Sequence, residues 1–304
     1  MKKAYLYKKL KNNKVQCQNC AHYCVIDPSI NSGSTLSKTE WVEDGKKGIC
    51  GVRENKNGEL YSLAYGRPCA VNIDPIEKKP LYHFLPGTYS LSIATVGCNF
   101  SCHNCQNWQI SQTKKIEGEE ISPEEIVKIA LKNKLPSISY TYTEPAVYSE
   151  YALDIMKLAK KEGLKNIWVS NGFWSKELFD LISPYLDAAN IDLKSFDDKF
   201  YKKYCGGRLQ PVLDTLKRIK NKNIWLEITT LVIPTLNDSE ENFEKIANFI
   251  KEELDPETPW HISRFFGAVS WKLQNLPDAP IETLKKAREI GKKAGLKYIH
   301  LGNV

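Results

Sequence analysis

The sequence predicts an α/β protein: an open, partial TIM-like barrel over residues 86–304, preceded by a small cysteine-bearing domain over residues 1–85. Three observations predict it. From residue 86 onward, short apolar stretches rich in β-branched and aromatic residues alternate with helix-period segments, the pattern of repeating βα units around a parallel sheet. Seven such stretches occur, which suits a barrel, open or closed; an open doubly wound sheet is the alternative arrangement of the same units. Ahead of them, residues 1–85 hold turns, glycines and a spaced cysteine set, but no long periodic segment.

The expected strands are "SLSIATV" (90–96), "SISYTY" (137–142), "NIWVSN" (166–171), "AANIDLK" (188–194), "IWLEITTLVI" (224–233), "WHISRF" (260–265) and "YIHLG" (298–302). Between them, "SPEEIVKIALKN" opens a helix, with Ser122 as N-cap, Pro123 at the first helical position and Glu125 closing a capping box. "DSEENFEKIANFI" opens another, capped by Asp238 or Ser239. "EGLKNIWVS" and "AGLKYIHLG" echo each other as helix end, glycine and strand. "DPIEKKPLYHFLPGT" reads as the passage between the two domains.

Bulk properties narrow the function. The 304 residues are 42% hydrophobic, enough for a substantial core. No apolar run is long enough to cross a membrane, and the lysine-rich start lacks the apolar stretch of a signal peptide, so a cytoplasmic location is expected. The net charge of +7 comes almost wholly from six lysines in residues 1–14; the rest carries 37 basic against 36 acidic residues. An excess confined to one arm argues against nucleic-acid binding. Nine cysteines in a reducing compartment point to metal binding or catalysis rather than disulfides.

Three of them, Cys98, Cys102 and Cys105, lie in "VGCNFSCHNCQNW" with C-x3-C-x2-C spacing, just past the first barrel strand. The C-terminal ends of parallel strands carry the chemistry of α/β folds. Three soft thiolates favour zinc or an iron–sulfur cluster. A [4Fe–4S] cube held by three cysteines keeps one iron open to a substrate. In the front domain, Cys17, Cys20, Cys24 and Cys50 suit a structural zinc, with a second iron–sulfur cluster as the rival. In "NIDLK", Asn190, Asp192 and Lys194 alternate with Ile191 and Leu193, giving one polar strand face, which serves either a site or a buried ion pair.

On these residues the sequence resembles the radical S-adenosylmethionine (SAM) enzymes, and within them the pyruvate formate-lyase activating enzyme group. It is most similar there to the radical SAM protein of the AmmeMemoRadiSam system. The cysteine loop carries the resemblance together with "SYTYTEPAVYSEYALD", "VSNGFW", "NIDLKSF", "KYCGGRLQPVLDTLK", "LEITTLVIPTLND", "PWHISRF" and "GLKYIHLGNV", and with "CQNCAHYC" and "GICGVRENKNGEL" at the front. The resemblance implies a [4Fe–4S] cluster on Cys98, Cys102 and Cys105, and SAM chelated at its open iron. Reductive cleavage of SAM would then give a 5′-deoxyadenosyl radical that abstracts hydrogen from a substrate the sequence does not identify. It also implies an electron donor such as ferredoxin or flavodoxin. Two alternatives stay open: a glycyl-radical enzyme activase acting on a partner protein, and a non-catalytic zinc or iron–sulfur protein of binding or electron transfer.

The resemblance also assigns residues. Glu144 matches the position that contacts the SAM ammonium, although a carboxylate at a helix start is also favourable by the dipole alone. Ser170, Asn171, Asp192 and Lys194 are expected around SAM at the barrel mouth, and His261 near its ribose or in the core. Cys205 is either a hydrogen-atom donor or a packed small side chain. Asn104 stands where relatives carry an aromatic residue near the adenine, with Trp108 as the nearby substitute.

Overall fold

A computed structural model describes residues 1–29 and 46–304. Among the described residues the front of the chain makes six short strands: β1 (Lys2–Lys3), β2 (Tyr7–Lys9), β3 (Val15–Cys17), β4 (Val25–Ile26), β5 (Arg53–Lys56) and β6 (Glu59–Ser62). They form two three-stranded antiparallel sheets, ordered β1-β6-β5 and β2-β3-β4.

The remaining strands build one eight-stranded sheet. They are β7 (Ala70–Pro75), β8 (Tyr89–Ala94), β9 (Ser137–Tyr140), β10 (Lys165–Ser170), β11 (Ala188–Asp192), β12 (Trp225–Val232), β13 (Trp260–Arg264) and β14 (Ile299–Gly302). Each lies beside its neighbour in sequence, and all pairings from β8 to β14 are parallel. The sheet is an open partial barrel whose edges are β7 and β14. The seven expected strands are all present. The eighth, β7, pairs antiparallel with β8 and was not legible: "AVNIDP" exposes Asn72 and Ile73 and ends in proline, so it lacks both the apolar run of a buried strand and a clean alternation. Its last two residues, Asp74 and Pro75, open the expected interdomain passage.

Helices α1 (Trp108–Ser111), α2 (Pro123–Lys132), α3 (Ser149–Lys161), α4 (Lys176–Ile182), α5 (Asp198–Phe200), α6 (Leu209–Asn221), α7 (Glu240–Phe249) and α8 (Ile281–Ala294) punctuate the strands. The capping box of α2 forms as the sequence predicts, and Ser239 rather than Asp238 caps α7. Gly163 and Gly295, the echoed glycines, sit just past α3 and α8 at φ 76° and 102°, where a side chain would be strained.

Alternation along the strands separates two faces. Leu91, Ile138, Trp168, Ile191, Ile228 and Ile262 join the helices in the main apolar core. The opposite, concave face is polar: Ser90 Oγ meets Ser139 Oγ at 2.6 Å, Thr229 Oγ1 donates to Asn190 Oδ1 at 2.9 Å, and Glu227 meets His261. Residues 76–86, expected to be a mere passage, close the end of the barrel where the strands begin. Ile76, Leu81 and Phe84 pack on Ile167 and Ala188. Asn190 Nδ2 donates to the Pro80 carbonyl at 2.8 Å, and the amides of Tyr82 and His83 donate to Glu227 at 3.0 and 2.9 Å. The other end, where β8, β10 and β11 finish, is left for the loops. Among the described residues no helix is long and apolar enough to cross a membrane.

Candidate active site

The loop carrying Cys98, Cys102 and Cys105 leaves β8 at that open end and is pinned on three sides. Ser101 and His103 donate backbone N–H bonds to the carbonyls of Cys205 and Tyr204, both 2.9 Å, tying it to the π-helical turn Tyr201–Cys205. Gln112 Nε2 donates to the Phe100 carbonyl at 3.0 Å, and Asn107 Nδ2 to the Tyr142 carbonyl at 3.0 Å. Phe100 is buried against Phe173 and Tyr201 and directly over Gly207, whose hydrogen leaves room for the ring.

The three thiols are partly exposed and within electrostatic reach of one another. Burial pushes Cys98 and Cys105 up. Cys102 is instead drawn down by a hydrogen bond from Cys205, which burial holds well above the usual thiol range. Polar groups approach the sulfurs: Phe100 N lies 3.4 Å from Cys98 Sγ, and Ser111 Oγ lies 3.4 Å from Cys105 Sγ. An amide aimed at sulfur favours the thiolate, the form that binds metal. Among the described residues no three His, Cys, Asp or Glu side chains are already drawn to coordination distance of one point. The donor set itself fits an iron–sulfur cluster: three thiols on one loop, with a backbone amide turned to the sulfur of Cys98.

Glu144 follows β9 and is almost wholly buried, at 1% exposure. Its carboxylate accepts from Ala146 N at 3.1 Å, Ser170 Oγ at 2.8 Å and Asn171 N at 2.9 Å. Burial outweighs these donors and pushes its pKa up to about 7. Ser170 Oγ also accepts from Trp174 Nε1 at 2.8 Å, and Asn171 Nδ2 donates to Asn99 Oδ1 at 2.7 Å. Glu144, Ser170 and Asn171 are therefore one network, joined to the cysteine loop through Asn99 and lying close enough to Cys98 for Glu144 to raise its pKa. On the other flank Lys194 Nζ pairs with Asp192 Oδ2 at 2.7 Å. Burial works against the charge of Lys194, but Asp192 and the thiols of Cys102 and Cys205 hold its pKa well above the usual lysine value.

The fold thus gathers Cys98, Cys102, Cys105, Glu144, Ser170, Asn171, Asp192, Lys194 and Cys205 around one loop. It does not bring His261 there. His261 Nε2 lies 2.7 Å from Glu227 Oε2, and its ring packs edge-on against Tyr82 of the closing segment, so it is a core histidine facing the opposite end. Cys205 is fully buried behind Cys102. Trp108, 37% exposed, stands at the start of α1 beside the loop. Sequence reasoning missed Asn99, buried at 1% exposure, whose Oδ1 links the loop to Asn171 and whose Nδ2 has no partner. A loop asparagine shows no periodicity, and only its place beside a candidate ligand marked it.

Comparisons with known proteins show the family. The family model described as the Radical SAM superfamily matches residues 92–250, the span holding the cysteine loop and every residue gathered around it. The chain is 44% identical over its whole length to "Uncharacterized protein MJ0808" of Methanocaldococcus jannaschii, covering 86% of that protein. It is 29% identical to the pyruvate formate-lyase-activating enzyme of Clostridium pasteurianum over 51% of this chain and 66% of that one. Its fold is similar to that of a radical SAM methyltransferase from Sphaerobacter thermophilus, with a TM-score of 0.56 at 13% identity over 73% of this chain and 68% of that one.

Proposed function

Because the chain belongs to the radical SAM superfamily, we propose that Cys98, Cys102 and Cys105 hold a [4Fe–4S] cluster at which SAM is cleaved reductively. One observation carries the reading: the three-thiol loop at the strands' C-terminal end is joined by hydrogen bonds to a buried, pre-oriented carboxylate. Held by Cys98, Cys102 and Cys105, the cluster would supply the electron for reductive cleavage of the SAM sulfonium and so the radical chemistry that would act on a substrate. The chain's own residues bind and orient. Glu144, fixed by Ser170, Asn171 and Ala146, presents a carboxylate to the SAM ammonium without further rotamer loss. Lys194 and Asp192 flank the loop with a paired charge of each sign, suited to the carboxylate and ribose hydroxyls of SAM. The polar concave face beyond them accepts the substrate, and residues 76–86 shut water out from below.

Within the superfamily, the segments shared with the AmmeMemoRadiSam system favour that placement. The similarity to a pyruvate formate-lyase-activating enzyme favours a second reading of the substrate, a glycine of a partner protein. A cytoplasmic location, reduction by a ferredoxin or flavodoxin, and a small front domain ahead of the barrel belong to the same proposal, with β7 and residues 76–86 counted with the barrel rather than divided from it at the expected residue 85. Anaerobic reconstitution with iron and sulfide, then incubation with SAM and a strong reductant, tests it. The expected product is 5′-deoxyadenosine with methionine in equal amounts. A protein that carries a full cluster and leaves SAM intact overturns the reading.

A further inference from the structure

The activity proposed above uses three cysteines and leaves a second set unexplained. Cys17 ends β3, Cys20 and Cys24 lie on the turn that follows, and Cys50 precedes β5. The fold brings all four to the wall of one small enclosed cavity, shared with Asn19, Gly48, Ile49, Arg53, Ala146 and Val147. We propose that Cys17, Cys20, Cys24 and Cys50 bind a single zinc ion that fastens the front sheets to the barrel.

The four sulfurs lie within electrostatic reach of one another, and four thiolates gathered at one place are the donor set of a structural zinc. Asn19, 2% exposed, lines the same cavity, and its Oδ1 has no partner. Four thiolates around a single divalent ion leave two net negative charges, and the guanidinium of Arg53 stands in the wall, close enough for Cys17 and Cys50 to feel its charge. Four thiolates around so small a cavity suit one tetrahedral ion.

The position explains what the ion would do. Among the described residues the front sheets are short and share a small core, in which Val15, Ile26 and Leu60 are the larger members. Their link to the barrel runs past this cavity: Arg53 Nη1 pairs with Glu150 at 2.6 Å, Asn19 Nδ2 bonds Ser149 Oγ at 2.6 Å, and Cys20 bridges to Trp174. A metal at the junction would supply the binding energy such a module cannot draw from a core.

The proposal is tested on a variant with Cys98, Cys102 and Cys105 all replaced by alanine, which removes the barrel cluster and isolates the front site. It is purified aerobically from zinc-supplemented cells, analysed for metals, and examined by X-ray absorption at the zinc edge. About one zinc per chain with four sulfur neighbours at about 2.3 Å is expected. Adding Cys17→Ser and Cys50→Ser to that variant should remove the zinc and open residues 1–29 to limited proteolysis, leaving the barrel resistant. Iron near four atoms per chain overturns the proposal, as does a folded protein with all four thiols titratable and no metal. Zinc bound to nitrogen and oxygen neighbours overturns it as well. Because the barrel cysteines are absent, none of these results depends on whether SAM is cleaved.

Discussion

At the residue scale, Glu144 bears the sharpest consequences. Burial raises its pKa from about 4.5 to about 7, so the fold favours the neutral carboxyl. The stability it contributes is full below its unfolded pKa and is lost as pH rises through about 7, on the order of 3 kcal/mol once ionised. Unfolding of the ligand-free protein should therefore become easier from about pH 5 to about pH 8, and Glu144→Gln should flatten that part of the profile. Denaturant titrations across the range check this; parallel profiles would contradict it. An ammonium beside the carboxylate restores its charge, so SAM binding near neutral pH should release a fraction of a proton, read by calorimetry in buffers of different ionisation enthalpy. Glu144→Gln should abolish that release and weaken SAM binding by about 1.5–3 kcal/mol, roughly tenfold to a hundredfold in Kd, with cluster absorbance unchanged. Equal affinity in both proteins would leave Glu144 as the cap on Ala146 N alone. The candidate thiols and the polar face of "NIDLK" were legible because residue type and spacing carry them. Asn99 was not, since its meeting with Asn171 depends on two loops converging.

At the scale of elements, the loop depends on the turn behind it. A Cβ on Gly207 would stand 2.3 Å from the Phe100 ring, which has no free side to move to. Gly207→Ala should cost about 1–3 kcal/mol of stability by overpacking and shift the loop that Phe100 anchors. Cluster incorporation per chain should fall in step, measured by iron content and absorbance; full incorporation would show that the loop is positioned without this contact. The seven parallel strands and the caps of α2 and α7 could be read from period and capping chemistry. Strand β7 could not, because an antiparallel edge needs neither a crossover helix nor a continuous apolar run. Residues 76–86 had the composition of a linker; their role in closing the barrel comes from Leu81 and Phe84 meeting strand starts far away in sequence.

For the whole molecule, one polypeptide places two cysteine sets at different kinds of address. One lies on a loop at the open end of a polar-lined barrel, beside a buried carboxylate and a paired lysine. The other lies in a closed seam between two small sheets and the barrel. The membership of each set, Cys50 included, was read from the sequence; that the front set lines a cavity shared with Ala146 and Val147 required the folded chain. The central claim concerns the first set. It is tested most directly by comparing SAM cleavage in the anaerobically reconstituted wild type and in the variant with Cys98, Cys102 and Cys105 replaced by alanine. The wild type should show cluster absorbance and form 5′-deoxyadenosine, while the folded variant shows neither. Continued 5′-deoxyadenosine formation by the variant would contradict the account.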